Sequence, residues 1–166
     1  MNIHVPQTEE ARAEAKILMN VNQNLFSCKD NSNMLGCVSD AVTGNYLLSN
    51  SNISKADSSQ LLFQTGIEFH FSRNNINGKE IISKIIPKID YRGRTKSGDS
   101  FLIKNGEIES GVVDKNVFGV EAGELLKFLD KEIGRTKTIE ILEKAFTMGT
   151  QYLSGHGFTI SGNDLN

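Results

Sequence analysis

The dipeptide Asn105-Gly106 sets the sharpest limit on how this chain folds. Both residues tolerate positive φ, so a two-residue turn that closes an antiparallel hairpin fits here without strain. Phe101-Leu102-Ile103-Lys104 precedes the turn and Glu107-Ile108-Glu109 follows it. The spacing predicts two paired strands, the second continuing through Val112-Val113. The remainder reads as short helices around this hairpin, a mixed α+β fold.

Helix signals bracket the hairpin on both sides. Thr8 is an N-cap, Glu9 and Glu10 favour the positive end of the helix dipole, and Ala11, Ala15, Leu18 and Met19 form a narrow apolar stripe. Asn20 to Asn33 reads as an irregular connection pinned by Leu25-Phe26. A second helix is predicted from Val38 to Leu48, with Val38, Ala41, Val42 and Leu48 inward. Ser54 followed by Asp57 caps a third that ends near Gln64. Phe69 to Phe71 is apolar at alternate positions and reads as a short strand. Lys79 to Ile86 forms another helix, stopped by Pro87. Residues 88 to 99, rich in Lys, Arg, Gly and Asp, read as a surface loop.

The last third is helical. Leu125, Leu126, Leu129 and Ile133 share a face, and Gly134 stops that helix. Thr136 or Thr138 can cap a longer one with Ile139, Leu142, Phe146 and Leu153 inward, ending at Gly155-His156-Gly157. The chain then runs through Phe158-Thr159-Ile160 toward Asn163-Asp164.

A chain of 166 residues can bury a real core. Its net charge of -2 gives no electrostatic footprint for nucleic acid, which counts against a free-standing nucleic-acid binder. The two cysteines, Cys28 and Cys37, form no CxxC pair and read as free thiols in a reducing compartment. No secretory signal or membrane-length apolar run occurs, so a cytoplasmic location is expected.

Self-contained chemistry is scarce. Histidines 4, 70 and 156 lie apart, none with a carboxylate or cysteine at metal-ligand spacing. No nucleophile elbow, phosphate loop or HExxH motif occurs. Gly155-His156-Gly157 follows a helix rather than a strand, so a dinucleotide-binding reading fails its context. Asp114, Asp130 and Glu132 read as solvated charges.

A family resemblance fills that gap. The run Met1 to Met19, with Ile3, Val5 and Pro6 ahead of the alanine-rich helix, resembles a segment of the largest subunit of multisubunit DNA-directed RNA polymerases. That segment directly follows a loop reading NADFDGDEMN, whose three aspartates hold the catalytic magnesium. Gly36, Asp40, Gly44, Tyr46, Leu47 and Leu48 match a family block of the form G-x-x-Q-D-x-x-x-G-x-Y-L-L. Asn77-Gly78-Lys79-Glu80-Ile81-Ile82-Ser83 looks like T-G-K-Q-I-x-S. Ile103 to Gly106 and Gly111 to Gly119 resemble I-K-N-G followed by G-V-x-D-K-x-x-x-G. Gly157 to Asp164 is similar to G-F-T-x-G-I-x-D. The blocks keep the family's order, and the wording is closer to archaeal or eukaryotic-type enzymes than to bacterial ones.

The resemblance implies two parts: residues 1–20 as the end of the active-site domain, and residues 21–166 as the pore domain. Met1, Asn2, His4 and Gln7 would flank the active centre, and Ser39, Asp40 and Gly44 would line the pore. No catalytic or metal-binding residue is expected in this chain, the Mg2+ ligands being expected ahead of Met1. Asp40 has an alternative duty, pinning a neighbouring loop. The implied partners are the remainder of the largest subunit, the second-largest subunit, DNA template, RNA and nucleoside triphosphates, in the cytoplasm or in a eukaryotic nucleus.

Departures stand beside the matches. Ser39 replaces a glutamine, Ile76 stands near an expected Trp or Tyr, and the 88–99 loop offers no zinc ligands. A competing reading is a non-enzymatic interaction module that keeps the same fold.

Overall fold

A computed structural model describes residues 1–162, and Asn163-Asp164, at the end of the last matching block, lie outside them. The described chain is an α+β fold with helices α1 (Glu9–Ile17), α2 (Asp40–Ser49), α3 (Lys55–Gln64), α4 (Gly78–Ser83), α5 (Lys115–Phe118), α6 (Glu124–Ile133) and α7 (Arg135–His156). Strands β1 (Asn52–Ser54) and β2 (Asn75–Asn77) pair antiparallel. Strands β3 (Tyr91–Arg94), β4 (Ser100–Lys104) and β5 (Glu107–Ser110) form an antiparallel sheet in that order.

The centre of the molecule is the crossing of α2 and α7. A Cβ on Gly44 would lie 1.9 Å from the Gly149 carbonyl oxygen, and one on Gly149 would lie 2.3 Å from that of Ala41. The two backbones therefore meet with nothing between them. Buried Asn45 fastens the crossing, its Nδ2 donating to Ala41 O at 2.9 Å and to Ala145 O at 2.8 Å. At the far end of α2, Gly78 repeats the device, because a Cβ there would lie 1.7 Å from Leu48 O.

Buried hydroxyls then join helix to sheet. Ser49 Oγ donates to Tyr46 O and accepts from Val113 N. Ser83 Oγ donates to Lys79 O and accepts from Ile108 N, tying α4 to β5. An amide buried without such a partner would cost about 1–3 kcal/mol. Phe101 and Ile103 of β4, Ile81 and Ile82 of α4, and Leu125, Leu126 and Leu129 of α6 complete the core.

Several sequence expectations stand. Thr8 caps α1, Ser54 caps α3 through Asp57, and α3 ends at Gln64. The Asn105-Gly106 hairpin forms, with Asp90 accepting from Asn105 N at 2.6 Å. The segment from Asn20 to Asn33 is pinned as expected. Leu25 is fully buried, Asn33 Nδ2 donates to Gly123 O, and Arg135 reaches Gln23 O while lying over the Phe26 ring.

Other expectations are corrected. The apolar stripe of α1 is covered by nothing, and none of its residues is buried. α2 begins at Asp40, leaving Val38 48% exposed and Val42 half-buried, because Ser39 turns the backbone at φ +43°. Phe69 and Phe71 form no strand; their rings meet edge to face at 4.8 Å on a loop, and the strand lies later at Asn75–Asn77. α4 stops at Ser83, after which Lys84 to Ile86 follow as tight turns with i−3 hydrogen bonds.

The basic stretch 88–99 is not all loop. Tyr91 and Gly93 pair with Ile103 and Phe101, so a third of it is a strand. The returning strand ends at Ser110, where Gly111 takes φ +90° against Phe101. Gly134, not a threonine, is the start of α7; Thr138 is buried and bonds back to Gly134 O. The buried face of α7 is Ile141, Leu142, Ala145, Met148, Gly149 and Tyr152, while Phe146 is 41% exposed and Ile139 and Leu153 are half-buried. Close approach to α2 at Gly149 sets this rotation.

Gly44→Ala tests the crossing. Overpacking against a backbone carbonyl outweighs the helix propensity gained, so the variant should lose about 2 kcal/mol in urea denaturation. Unchanged stability would mean the helices do not meet at this glycine. The thiols provide a second test. Burial pushes Cys37 up to about 12, whereas Cys28 is exposed. The thiolate is the form that alkylates, so iodoacetamide near the ordinary thiol range of about pH 8.5 should modify Cys28 alone in the folded chain and both residues in denaturant. Mass spectrometry after brief labelling reads the difference.

Candidate functional site

The residues expected to face an active centre lie on a projecting arm. Met1, Asn2, His4 and Gln7 are all exposed and precede the first turn of α1. Arg12 steadies the arm's base: its guanidinium donates to Pro6 O at 3.3 Å and pairs with Glu9 at 2.7 Å. That exposed ion pair adds little stability on its own. Ile3, Val5, Ile17, Leu18, Met19 and Val21 are exposed along the arm, α1 and the turn beyond. Apolar side chains gathered in one segment mark a surface built to be covered.

The second group sits at the start of α2. Ser39 occupies φ +43°, ψ -112°, a conformation costly for a residue with a Cβ. Its carbonyl accepts from Thr43 N at 3.1 Å and Thr43 Oγ1 at 3.2 Å. Its side chain makes no capping bond, and both Ser39 and Asp40 are exposed. Asp40 sits in the first turn of α2, where the helix dipole favours a negative charge. Among the described residues its carboxylate makes no hydrogen bond or ion pair.

Gly44 is corrected outright. It is buried against Gly149, on the face of α2 turned to α7, and so presents no surface to a channel. The structure brings Ser39 and Asp40 together by adjacency alone, and no hydrogen bond or ion pair joins them to the N-terminal arm among the described residues. Ser39's strained backbone is the feature that sequence reasoning missed, since only a glycine or asparagine there would have announced positive φ.

Asp114, read as a solvated charge, is also more than that. Its Oδ1 caps α5 through Asn116 N and its Oδ2 accepts from Lys96 N, binding the β3–β4 turn to α5. Asp130 likewise holds Arg135 through two bonds, Nε–Oδ1 at 2.6 Å and Nη2–Oδ2 at 3.2 Å, at the corner between α6 and α7. The hydrogen bond from Arg135 to Asp130 raises the guanidinium pKa further.

Among the described residues no group of three or more His, Cys, Asp or Glu side chains converges to hold an ion. No helix among them is long and apolar enough to cross a membrane. Ser39→Gly isolates the strain at α2: removing the Cβ should stabilise the chain by about 1 kcal/mol in urea denaturation. A loss of stability would show that the serine side chain contributes more than the strain costs.

The family model for RNA polymerase Rpb1, domain 3, matches residues 24–165. The chain is 34% identical to DNA-directed RNA polymerase subunit Rpo1N of Methanococcus vannielii, over 99% of this chain and 21% of that protein. It is 33% identical to the subunit of the same name in Methanocaldococcus jannaschii, over 99% of this chain and 14% of that one. It is 30% identical to DNA-directed RNA polymerase III subunit RPC1 of Saccharomyces cerevisiae, over 99% of this chain and 14% of that protein. The chain thus spans about a fifth or less of the length of these relatives. The body that carries α2, the three-stranded sheet and α7 belongs to the RNA polymerase Rpb1 domain 3 family.

Proposed function

We propose that this chain acts as part of the largest subunit of a DNA-directed RNA polymerase, in template-directed RNA synthesis from nucleoside triphosphates. The observation that carries the reading is the family match over residues 24–165, inside alignments to polymerase subunits that cover 99% of the chain. Activity belongs to the assembled complex, and the chain alone is inactive. Residues 1–20 form the end of the active-site domain and residues 21–166 the pore domain.

The arm's exposed apolar residues support a position against a neighbouring part of the enzyme. On this reading, Met1, Asn2, His4 and Gln7 flank the active centre while Pro6 and α1 brace it. Ser39 and Asp40, exposed at the start of α2, line the nucleotide-entry pore. The Mg2+ of the assembled enzyme is held by residues outside this chain. This chain contributes rigidity. Misplacing reacting groups by about 1 Å can cost roughly a hundredfold in rate, so a braced loop matters to catalysis without touching substrate.

A non-enzymatic interaction module is the competing reading, favoured by the net charge of -2 and the missing ligand cluster. Purified chain should incorporate no labelled nucleotide on a primed template with magnesium. Co-expression with the second-largest subunit and a largest subunit lacking this segment should yield a joint complex with incorporation restored. Incorporation by the chain alone, or no complex despite tight binding to another protein, would overturn the proposal.

A further inference from the structure

The outer edge of β3 is open. Among the described residues β3 pairs with β4 alone, and the sheet order β3-β4-β5 leaves its other side without a strand. Which backbone groups lie on that side follows from the ladder. Thr95 N donates to Asp99 O at 2.9 Å, so the position after Arg94 points toward β4. In an antiparallel pair the direction alternates residue by residue. Gly93 and Tyr91 therefore point toward β4, and Arg92 and Arg94 point away. Arg94 O agrees, since it accepts from Asn116 Nδ2 of α5 at a long 3.4 Å. The N–H and C=O of Arg92 and the N–H of Arg94 remain as a row of outward donors and acceptors.

Charge is concentrated along the same edge. Lys88, Arg92, Arg94 and Lys96 stand against Asp90, whose Oδ1 is engaged by Asn105 N, and against Glu124, which lines the same groove. Arg92, Arg94 and Lys96 are exposed. Tyr91 and Gly93 turn the opposite way, Tyr91 packing on Phe101 and Phe128. Asn116 and Glu124 line, with Arg92, Gly93 and Arg94, a groove of about 790 Å³ at this edge. The edge has neither a proline nor a bulge to blunt it; its charge and the approach of Asn116 at Arg94 O are its protection.

We propose that the β3 edge takes up an extended acidic segment of a partner protein as a fourth strand. The outward groups of Arg92 and Arg94 supply main-chain hydrogen bonds, and their guanidinium groups face carboxylates on alternate positions of the added strand. The same arginines oppose pairing with a second copy of this chain, where like charges would meet across the new ladder. Single-stranded RNA fits less well. Its phosphates would satisfy the arginines but leave the outward carbonyl of Arg92 facing negative charge. The inference does not depend on the polymerase reading, because it rests on sheet register and charge alone.

The test is fluorescence anisotropy with the full chain and a labelled, acetylated peptide of alternating valine and glutamate. Saturable binding is expected, together with hydrogen-exchange protection of the Arg92 and Arg94 amides. Arg92→Glu with Arg94→Glu should weaken binding by about tenfold, since two attractive cross-strand pairs become repulsive. Arg92→Pro should also weaken it while retaining the native circular dichroism, because that N–H takes no part in the ladder with β4. N-methylation of alternate peptide amides tests the same hydrogen bonds without altering the protein, and should abolish binding. Equal binding of the N-methylated peptide or of a valine-lysine peptide would overturn the proposal. So would tighter binding of oligouridylate without amide protection, or no saturable binding at all.

Discussion

Direct backbone contact along α2 is the constraint on which the rest of this structure depends. Gly44 lets α7 approach until the carbonyl of Gly149 sits where a side chain would be, and Gly78 brings the start of α4 onto Leu48. Helices usually pack with axes 8–10 Å apart, a spacing set by their side chains. Removing the side chains at the crossing shortens that distance and leaves no room for adjustment. Once α7 and α4 are placed, Ser49 and Ser83 are in position to take the amides of Val113 and Ile108. The sheet follows from the helices rather than the reverse.

This arrangement gives the family motif a physical meaning. Gly44 and Gly78 are among the residues that carry the resemblance, and both act through packing. Gly36 belongs with them, since a Cβ there would lie 2.4 Å from Val120 N. Asp114, also in a matching block, ties two turns together. The motifs mostly specify how a rigid body is assembled. The exposed arm and α1 contribute nothing to that core, and their apolar residues remain available to a neighbour. One part of the chain builds a frame, and the other extends from it.

Local signals were legible wherever a few adjacent residues decide the outcome. The caps at Thr8 and Ser54, the turn at Asn105-Gly106, the stop at Gly134 and the inward leucines of α6 all rest on short-range geometry. The β3 strand was masked because its outward positions are arginines and one inward position is glycine, so its alternation reads as loop composition. The inward face of α7 was misjudged for a related reason. Ile139, Phe146 and Leu153 are more apolar than Gly149 or Thr138, yet a glycine facing a backbone is more deeply buried than a phenylalanine at the rim.

At the candidate site the division is the same. The sequence by itself determined the family and the positions of most helices. Tertiary structure decided that Gly44 is a packing contact, that Ser39 and Asp40 are exposed, that Asp114 is a brace, and that β3 presents an open basic edge. Helix caps and turns depend on hydrogen bonds between near neighbours and are written in a few letters. Exposure depends on what a distant segment covers, and that is settled only when α7 closes on α2.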